Sequence, residues 1–252
     1  MLDTVVLPIG SLSALLHIDM HIMVAGDSWA CGEWGQTDSG YGLLHSGITT
    51  EMESQGHRVY RTAQGGDSNR SQLHRVTLAL AEQAHTDAVL FIQTDPLRDL
   101  SASHMPTTLK GYRSAHSLLL RDLYQALNDL PVPILLVGGN CAVDPALVSE
   151  FPHVHTVCRD WIALLLGSRP CEIICRQWTY PHCEVDLLTH WESEERAHFR
   201  WFHKCNTPTT QHYKWFWPDG LHPNRAGHAA LLTHIQSQGL LLPGVVAEPD
   251  LG

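Results

Sequence analysis

Apolar, β-rich runs recur along this chain at roughly even intervals: His21 to Ala25, Arg58 to Thr62, Ala88 to Gln93, Pro133 to Val137 and Glu172 to Cys175. Helical spacing fills the gaps, over Tyr41 to Gln55, Arg70 to His85, Leu109 to Leu130, Val157 to Leu166 and Arg225 to Gln238. A strand that is apolar at nearly every position has no face to give to water. It belongs in a parallel sheet covered on both sides. The alternation predicts a doubly wound, three-layer α/β/α fold with about five strands. In such a sheet the reactive loops gather beyond the carboxyl ends of the strands, where Ser28, Gly66, Thr94 and Asn140 all fall.

A chain of 252 residues can bury one large core, and no linker-like stretch divides it. Residues 20–252 are expected to form a single domain, with 1–19 as an N-terminal extension; the native start could equally lie at Met20 or Met23. Residues 5–16 resemble a short signal core, but Asp3 precedes them and Pro8 interrupts them, so no standard signal peptide is expected. The formal charge is −10, with 16 Lys+Arg against 26 Asp+Glu and no basic run, which argues against nucleic acid or an anionic lipid surface as partner. There is also no apolar stretch of membrane-spanning length. The seven cysteines are odd in number and irregularly spaced, which reads as thiols in a cytoplasmic or otherwise reducing compartment. Cys171, Cys175, His182, Cys183 and Cys205 could be imagined as zinc ligands, but they contain no CxxC knuckle, and no metal is expected.

From 176 to 216 the pattern loosens into an insert carrying Trp178, Tyr180, Trp191, Trp201, Phe202, Tyr213, Trp215 and Phe216, with a helix expected over Glu184 to His203. Any one of these aromatics reads as a satellite core under a long loop. As a group they are candidates for a lid or a substrate wall.

Two fragments at opposite ends of the domain carry the chemistry. The first apolar run ends in Gly26-Asp27-Ser28, and the chain later reads Asp219-Gly220-Leu221-His222-Pro223-Asn224. An Asp three residues before a His can fix one imidazole tautomer while the other ring nitrogen faces a hydroxyl from elsewhere. A serine hydroxyl is a poor nucleophile at neutral pH, and His222 is the only histidine with an orienting carboxylate beside it. The expected triad is Ser28, His222 and Asp219. The N–H of Ser28, at a strand-to-helix junction, is a candidate oxyanion donor. Gly66, in Gly65-Gly66-Asp67-Ser68, can bring a second N–H against a substrate because it has no side chain.

Together, Gly26-Asp27-Ser28, Gly66-Asp67-Ser68 and Asp219 through Asn224 resemble blocks I, II and V of the SGNH, or GDSL, hydrolases, in the right order and strand context. The fit extends over about residues 20–238, and its style is similar to the lysophospholipase/thioesterase or carbohydrate esterase branches. The resemblance implies a flavodoxin-like sheet, a Ser28 nucleophile, a Gly66 oxyanion N–H and an Asp219/His222 pair, working without a cofactor. One block departs from the family: its Gly-x-Asn-Asp is replaced by Gln93-Thr94-Asp95-Pro96, so Thr94 stands where an asparagine amide donates to the oxyanion. Three substitutes are open: the Thr94 hydroxyl, the Gln93 amide, or Asn140 from Gly138-Gly139-Asn140. Asp27 and Asp95 are supporting candidates, Asp95 as the ion-pair partner of Arg98. An α/β-hydrolase nucleophile elbow is disfavoured, because Ala30 stands where its second glycine is required.

The expected function is hydrolysis of short acyl esters, such as acetate on a carbohydrate, through a seryl-acyl intermediate. Lipid or thioester acyl hydrolysis is the alternative within the same chemistry. A carbohydrate-binding or assembly protein with weakened activity is the alternative from another class, and acyl transfer to a sugar hydroxyl is a third. The sequence does not fix an oligomeric state.

Overall fold

The computed structural model describes residues 20–83, 85–104, 106, 109–139, 141–167, 215 and 222–239. One sheet is built from β1 (His21–Gly26), β4 (Arg58–Arg61), β5 (Ala88–Gln93), β6 (Ile134–Gly138) and β7 (Val154–Cys158), every pairing parallel, in the order β4-β1-β5-β6-β7. A separate antiparallel hairpin joins β2 (Glu33–Thr37) to β3 (Gly40–His45). Among the described residues the α-helices are α1 (Ser28–Cys31), α2 (Ile48–Ser54), α3 (Asn69–Glu82), α4 (Leu109–Asn128), α5 (Pro145–Val148), α6 (Trp161–Leu166) and α7 (Arg225–Ser237). This is a three-layer α/β/α fold.

The strands are apolar at nearly every position because they feed two cores in turn. Ile22 and Val24 of β1, with Leu90 and Ile92 of β5, pack under α1, α2, α6 and α7, while Met23, Ala25, Val89 and Phe91 pack under α3, α4 and α5. Each of these side chains is at most 1% exposed. Burial of this kind contributes about 1.5–3 kcal/mol for each large aliphatic or aromatic residue. Counting only the strands of this sheet, the order is 2-1-3-4-5, the flavodoxin arrangement. The chain leaving β1 turns to one face and the chain leaving β5 turns to the other. Between those two carboxyl ends a crevice must open, and ligands in open α/β sheets bind at such a point.

Gly26 makes the turn out of β1 feasible. A Cβ there would lie 2.3 Å from the Cβ of Ala30 and 3.1 Å from that of Ile92, at a φ of +159°. At the far side of this layer α7 docks on α2 through His228, whose Nδ1 accepts the Ile48 N–H at 3.2 Å. The imidazole stands edge-on to Trp161, with ring centroids 5.0 Å apart. Complete burial keeps this imidazole neutral and pushes its pKa down to about 3.

The structure corrects two of the expected elements. The helix expected over Tyr41 to Gln55 is a strand, β3, followed by the shorter α2, because Tyr41 and Leu43 follow a period of two after the Asp38-Ser39 turn. The helix expected from Val157 begins only at Trp161, capped by Asp160, whose side chain accepts the Ala163 N–H at 3.0 Å. Val157 and Cys158 instead finish β7, the last strand of the sheet among the described residues, whose polar His155 and Thr156 hid it among the apolar runs. The strand expected at Glu172 to Cys175, the five zinc candidates, residues 1–19 and nearly all of the 176–216 insert lie outside the described residues. Trp215, from that insert, packs against the core beneath α7. Cys31, Cys141 and Cys158 are buried. Among the described residues no helix is long and apolar enough to cross a membrane.

Candidate active site

Ser28 opens α1 immediately beyond β1, and Asp27 before it is buried. One carboxylate oxygen of Asp27 caps the turn by accepting the Trp29 N–H at 3.0 Å. The other accepts the Thr94 hydroxyl and the Arg98 Nη1–H, both at 2.8 Å. A buried carboxylate costs several kcal/mol unless it is paired and hydrogen-bonded, and these three donors meet that demand. The network continues into β5: Asn69 receives the Thr94 N–H and donates to the Thr94 carbonyl, each at 2.9 Å. Asp67 holds Arg75 through bonds as short as 2.6 Å, and its own carbonyl accepts from Arg98 at 3.3 Å. The ends of β1 and β5 and the start of α3 are thereby joined around the serine.

The imidazole that faces Ser28 comes from 194 positions along the chain. His222 Nε2 lies 2.8 Å from Ser28 Oγ. Asn224 caps α7 just beyond it, accepting the Gly227 N–H at 3.0 Å, and donates its own N–H to the Trp215 carbonyl at 2.8 Å. Glu33, at the start of the hairpin, pairs with Arg225 at 3.2 Å and so ties β2 to the first residue of α7.

The hairpin supplies two residues that the sequence reading passed over. Trp34 Nε1 donates to the Ser28 carbonyl at 2.8 Å, and its ring centroid is 5.9 Å from that of His222. Tyr41, a diagonal cross-strand neighbour, stacks on Trp34 at 6.2 Å with planes 17° apart, and its hydroxyl oxygen is 3.4 Å from His222 Nδ1. The available signal was the Thr37-Asp38-Ser39-Gly40 turn between two stretches of alternating character, a hairpin pattern that places residues 34 and 41 on one face.

The Gly65-Gly66 turn lies against the hairpin's Trp34 and against the serine. A Cβ on Gly65 would stand 3.4 Å from the Trp34 ring and 4.0 Å from Ser28 Cβ. Gly66 adopts a φ of +79°, and a Cβ there would meet nothing within 4 Å. As the first residue of α1, Ser28 carries an N–H that its helix leaves unpaired.

Three expectations about the supporting residues are corrected. Thr94 has one hydroxyl proton and directs it to Asp27, so it braces the serine turn rather than facing an oxyanion. Gln93 is buried and turned away: its amide donates to the Cys141 and Ala142 carbonyls at 3.0 and 2.9 Å, and its oxygen accepts from the Tyr124 hydroxyl at 2.9 Å. Burial raises the pKa of that phenol and keeps it a donor. Arg98 reaches Asp27 rather than Asp95, whose side chain caps the turn at Pro96–Asp99 by accepting the Leu97 N–H. Asp219 and Asn140 lie outside the described residues. Cys31, the last residue of α1, is no rival nucleophile, because burial pushes its thiol pKa up to about 11.

No protein-family model and no curated protein sequence matches this chain. Several solved structures are similar to it at low identity. LAE5, an alpha/beta hydrolase enzyme from the metagenome of Lake Arreo, Spain, shares 14% identity over 89% of this chain and 98% of its own, with a TM-score of 0.41. TesA shares 16% over 86% and 97%, with a TM-score of 0.42. Axe2, an acetylxylan esterase from Geobacillus stearothermophilus, shares 16% over 88% and 96%, with a TM-score of 0.40.

Proposed function

We propose that this protein is a serine carboxylic ester hydrolase, with Ser28 as nucleophile, His222 as general base and Asp219 as the carboxylate that orients the imidazole. The observation that carries this reading is the 2.8 Å approach of Ser28 Oγ to His222 Nε2 at the switch point of the sheet. Nε2 takes the hydroxyl proton as Oγ bonds to the substrate carbonyl carbon. The oxygen of that carbonyl becomes an oxyanion and is met by the N–H groups of Ser28 and Gly66. Collapse breaks the ester C–O bond, and the imidazolium returns its proton to the departing alcohol. Water then attacks the acyl-serine with His222 again as base, releasing the carboxylic acid and restoring Ser28.

The role of Asp27, Thr94, Asn69 and Arg98 is to hold the serine turn still, so that the attacking oxygen is placed before substrate arrives. The substrate favoured by this reading is a short acyl ester, acetate on a carbohydrate. Support comes from the aromatic rings beside His222 and from a net charge of −10 that offers nothing to an anionic substrate. The test is hydrolysis of p-nitrophenyl acetate by the purified protein and by Ser28→Ala. Turnover by wild type and background rates from the variant are expected. Equal rates from the two would remove the nucleophile assignment.

A further inference from the structure

We infer that Tyr41, backed by Trp34, reads the alcohol half of the ester and selects a saturated ring, a sugar, over an open-chain alcohol. The inference rests on the ester-hydrolase reading above.

Proton delivery fixes which half of the substrate lies where. The departing oxygen must come within hydrogen-bond reach of His222 Nε2, so the alcohol occupies the side of Ser28 on which His222 stands. The rings grouped around His222 belong to the hairpin: Trp34 is 5.9 Å from it, and the Tyr41 hydroxyl is 3.4 Å from Nδ1. Trp34 is fixed relative to the nucleophile, because its indole N–H is bonded to the Ser28 carbonyl at 2.8 Å. Tyr41 lies nearly parallel to that indole, 17° from it, and carries the same orientation outward while remaining 56% exposed.

An oriented aromatic face at the mouth of a site suits a ring with an apolar C–H face and wet hydroxyl edges. An open-chain alcohol has no such face. The hairpin from Glu33 to His45 contains no Lys or Arg, so a phosphorylated alcohol finds no countercharge on it, and the acid Glu33 is already paired with Arg225. The fitting substrate class is therefore an acyl ester of a neutral sugar, with selection acting on the sugar.

The experiment compares kcat/KM for two unactivated acetates, a methyl pyranoside monoacetate and ethyl acetate, in wild type, Tyr41→Ala, Tyr41→Phe and Tyr41→Trp. Wild type is expected to prefer the sugar acetate. In Tyr41→Ala the sugar-to-ethyl ratio should fall about fivefold, the scale of one aromatic contact. The Phe and Trp variants should keep the ratio, since they keep the face. The acetate-to-butyrate ratio on one common alcohol should not move in any of them. An unchanged sugar-to-ethyl ratio in Tyr41→Ala would overturn the inference, as would loss of the ratio in Tyr41→Phe, which would assign the effect to the hydroxyl on His222. If wild type cleaves p-nitrophenyl acetate yet shows no sugar preference, only this inference fails. If it cleaves none of the esters, the ester-hydrolase reading fails and takes the inference with it.

Discussion

Behind Ser28, the ends of β1 and β5 are joined through Asp27, Thr94 and Asn69 by buried bonds of 2.8 and 2.9 Å, whereas in front of it the hairpin meets His222 through ring contacts and one polar approach of 3.4 Å. The two sides differ in how much change they tolerate. A buried polar network is satisfied in one arrangement only, and removing any member strands the others. Ring contacts near solvent are each worth less and accept substitution. The difference teaches that Ser28 is placed by the fold, while the aromatic wall beside His222 can be altered without disturbing that placement.

The strongest way to break this comparison is at the serine itself. Ser28→Ala should lower kcat by about 10⁴-fold or more in a chromogenic ester assay, with the urea unfolding midpoint nearly unchanged. Next in size, Arg98→Met removes one of the three donors on a buried carboxylate and should cost about 3–5 kcal/mol by urea unfolding. Adding Asp27→Asn to that variant should recover part of the loss, because the stranded charge is gone; a further loss of the full Asp27→Asn effect would show that the two do not act together. Thr94→Val should cost about 1–3 kcal/mol by the same measurement, since it leaves Asp27 one donor short.

The His228 contact between α7 and α2, at the base of the hairpin side, is a buried polar support and gives a pH test. The folded pKa of His228, about 3, lies below the unfolded value near 6.5, so its contribution is fully present above pH 6.5 and is lost as pH falls toward 3. Between those values this group should make stability decline by about 1.4 kcal/mol per pH unit on acidification. His228→Asn should flatten that slope; parallel wild-type and variant curves would show that the imidazole is not held neutral. Smallest of all, Tyr41→Phe should alter unfolding free energy by no more than about 0.5 kcal/mol. A loss on the scale of Thr94→Val would erase the distinction between the two sides.

Much of the sheet was legible because a doubly covered parallel strand announces itself as an unbroken apolar run, and β1, β5 and β6 are of this kind. β7 was not, since its half-buried His155 and Thr156 interrupt the apolar run. The hairpin was misread because Leu43, Leu44 and the apolar positions of α2 run together when the Asp38-Ser39 turn is given no weight. Ser28 and His222 could be found because each sits in a local motif. Trp34, Tyr41 and the true partner of Arg98 could not, because each acquires its meaning from a residue distant in the chain: Arg98 from Asp27, and both aromatics from His222.

Ser28 and His222 stand 194 positions apart, and the bond between them forms only once β1, the hairpin and α7 have come together. Contacts of such sequence separation are the last whose loop entropy is repaid during folding. A chain emerging from the ribosome therefore presents Ser28 without the imidazole of His222 until the segment around residue 222 and α7 is released. On the proposed mechanism, turnover counts only copies that have acquired His222, and a copy cut short of it is chemically silent.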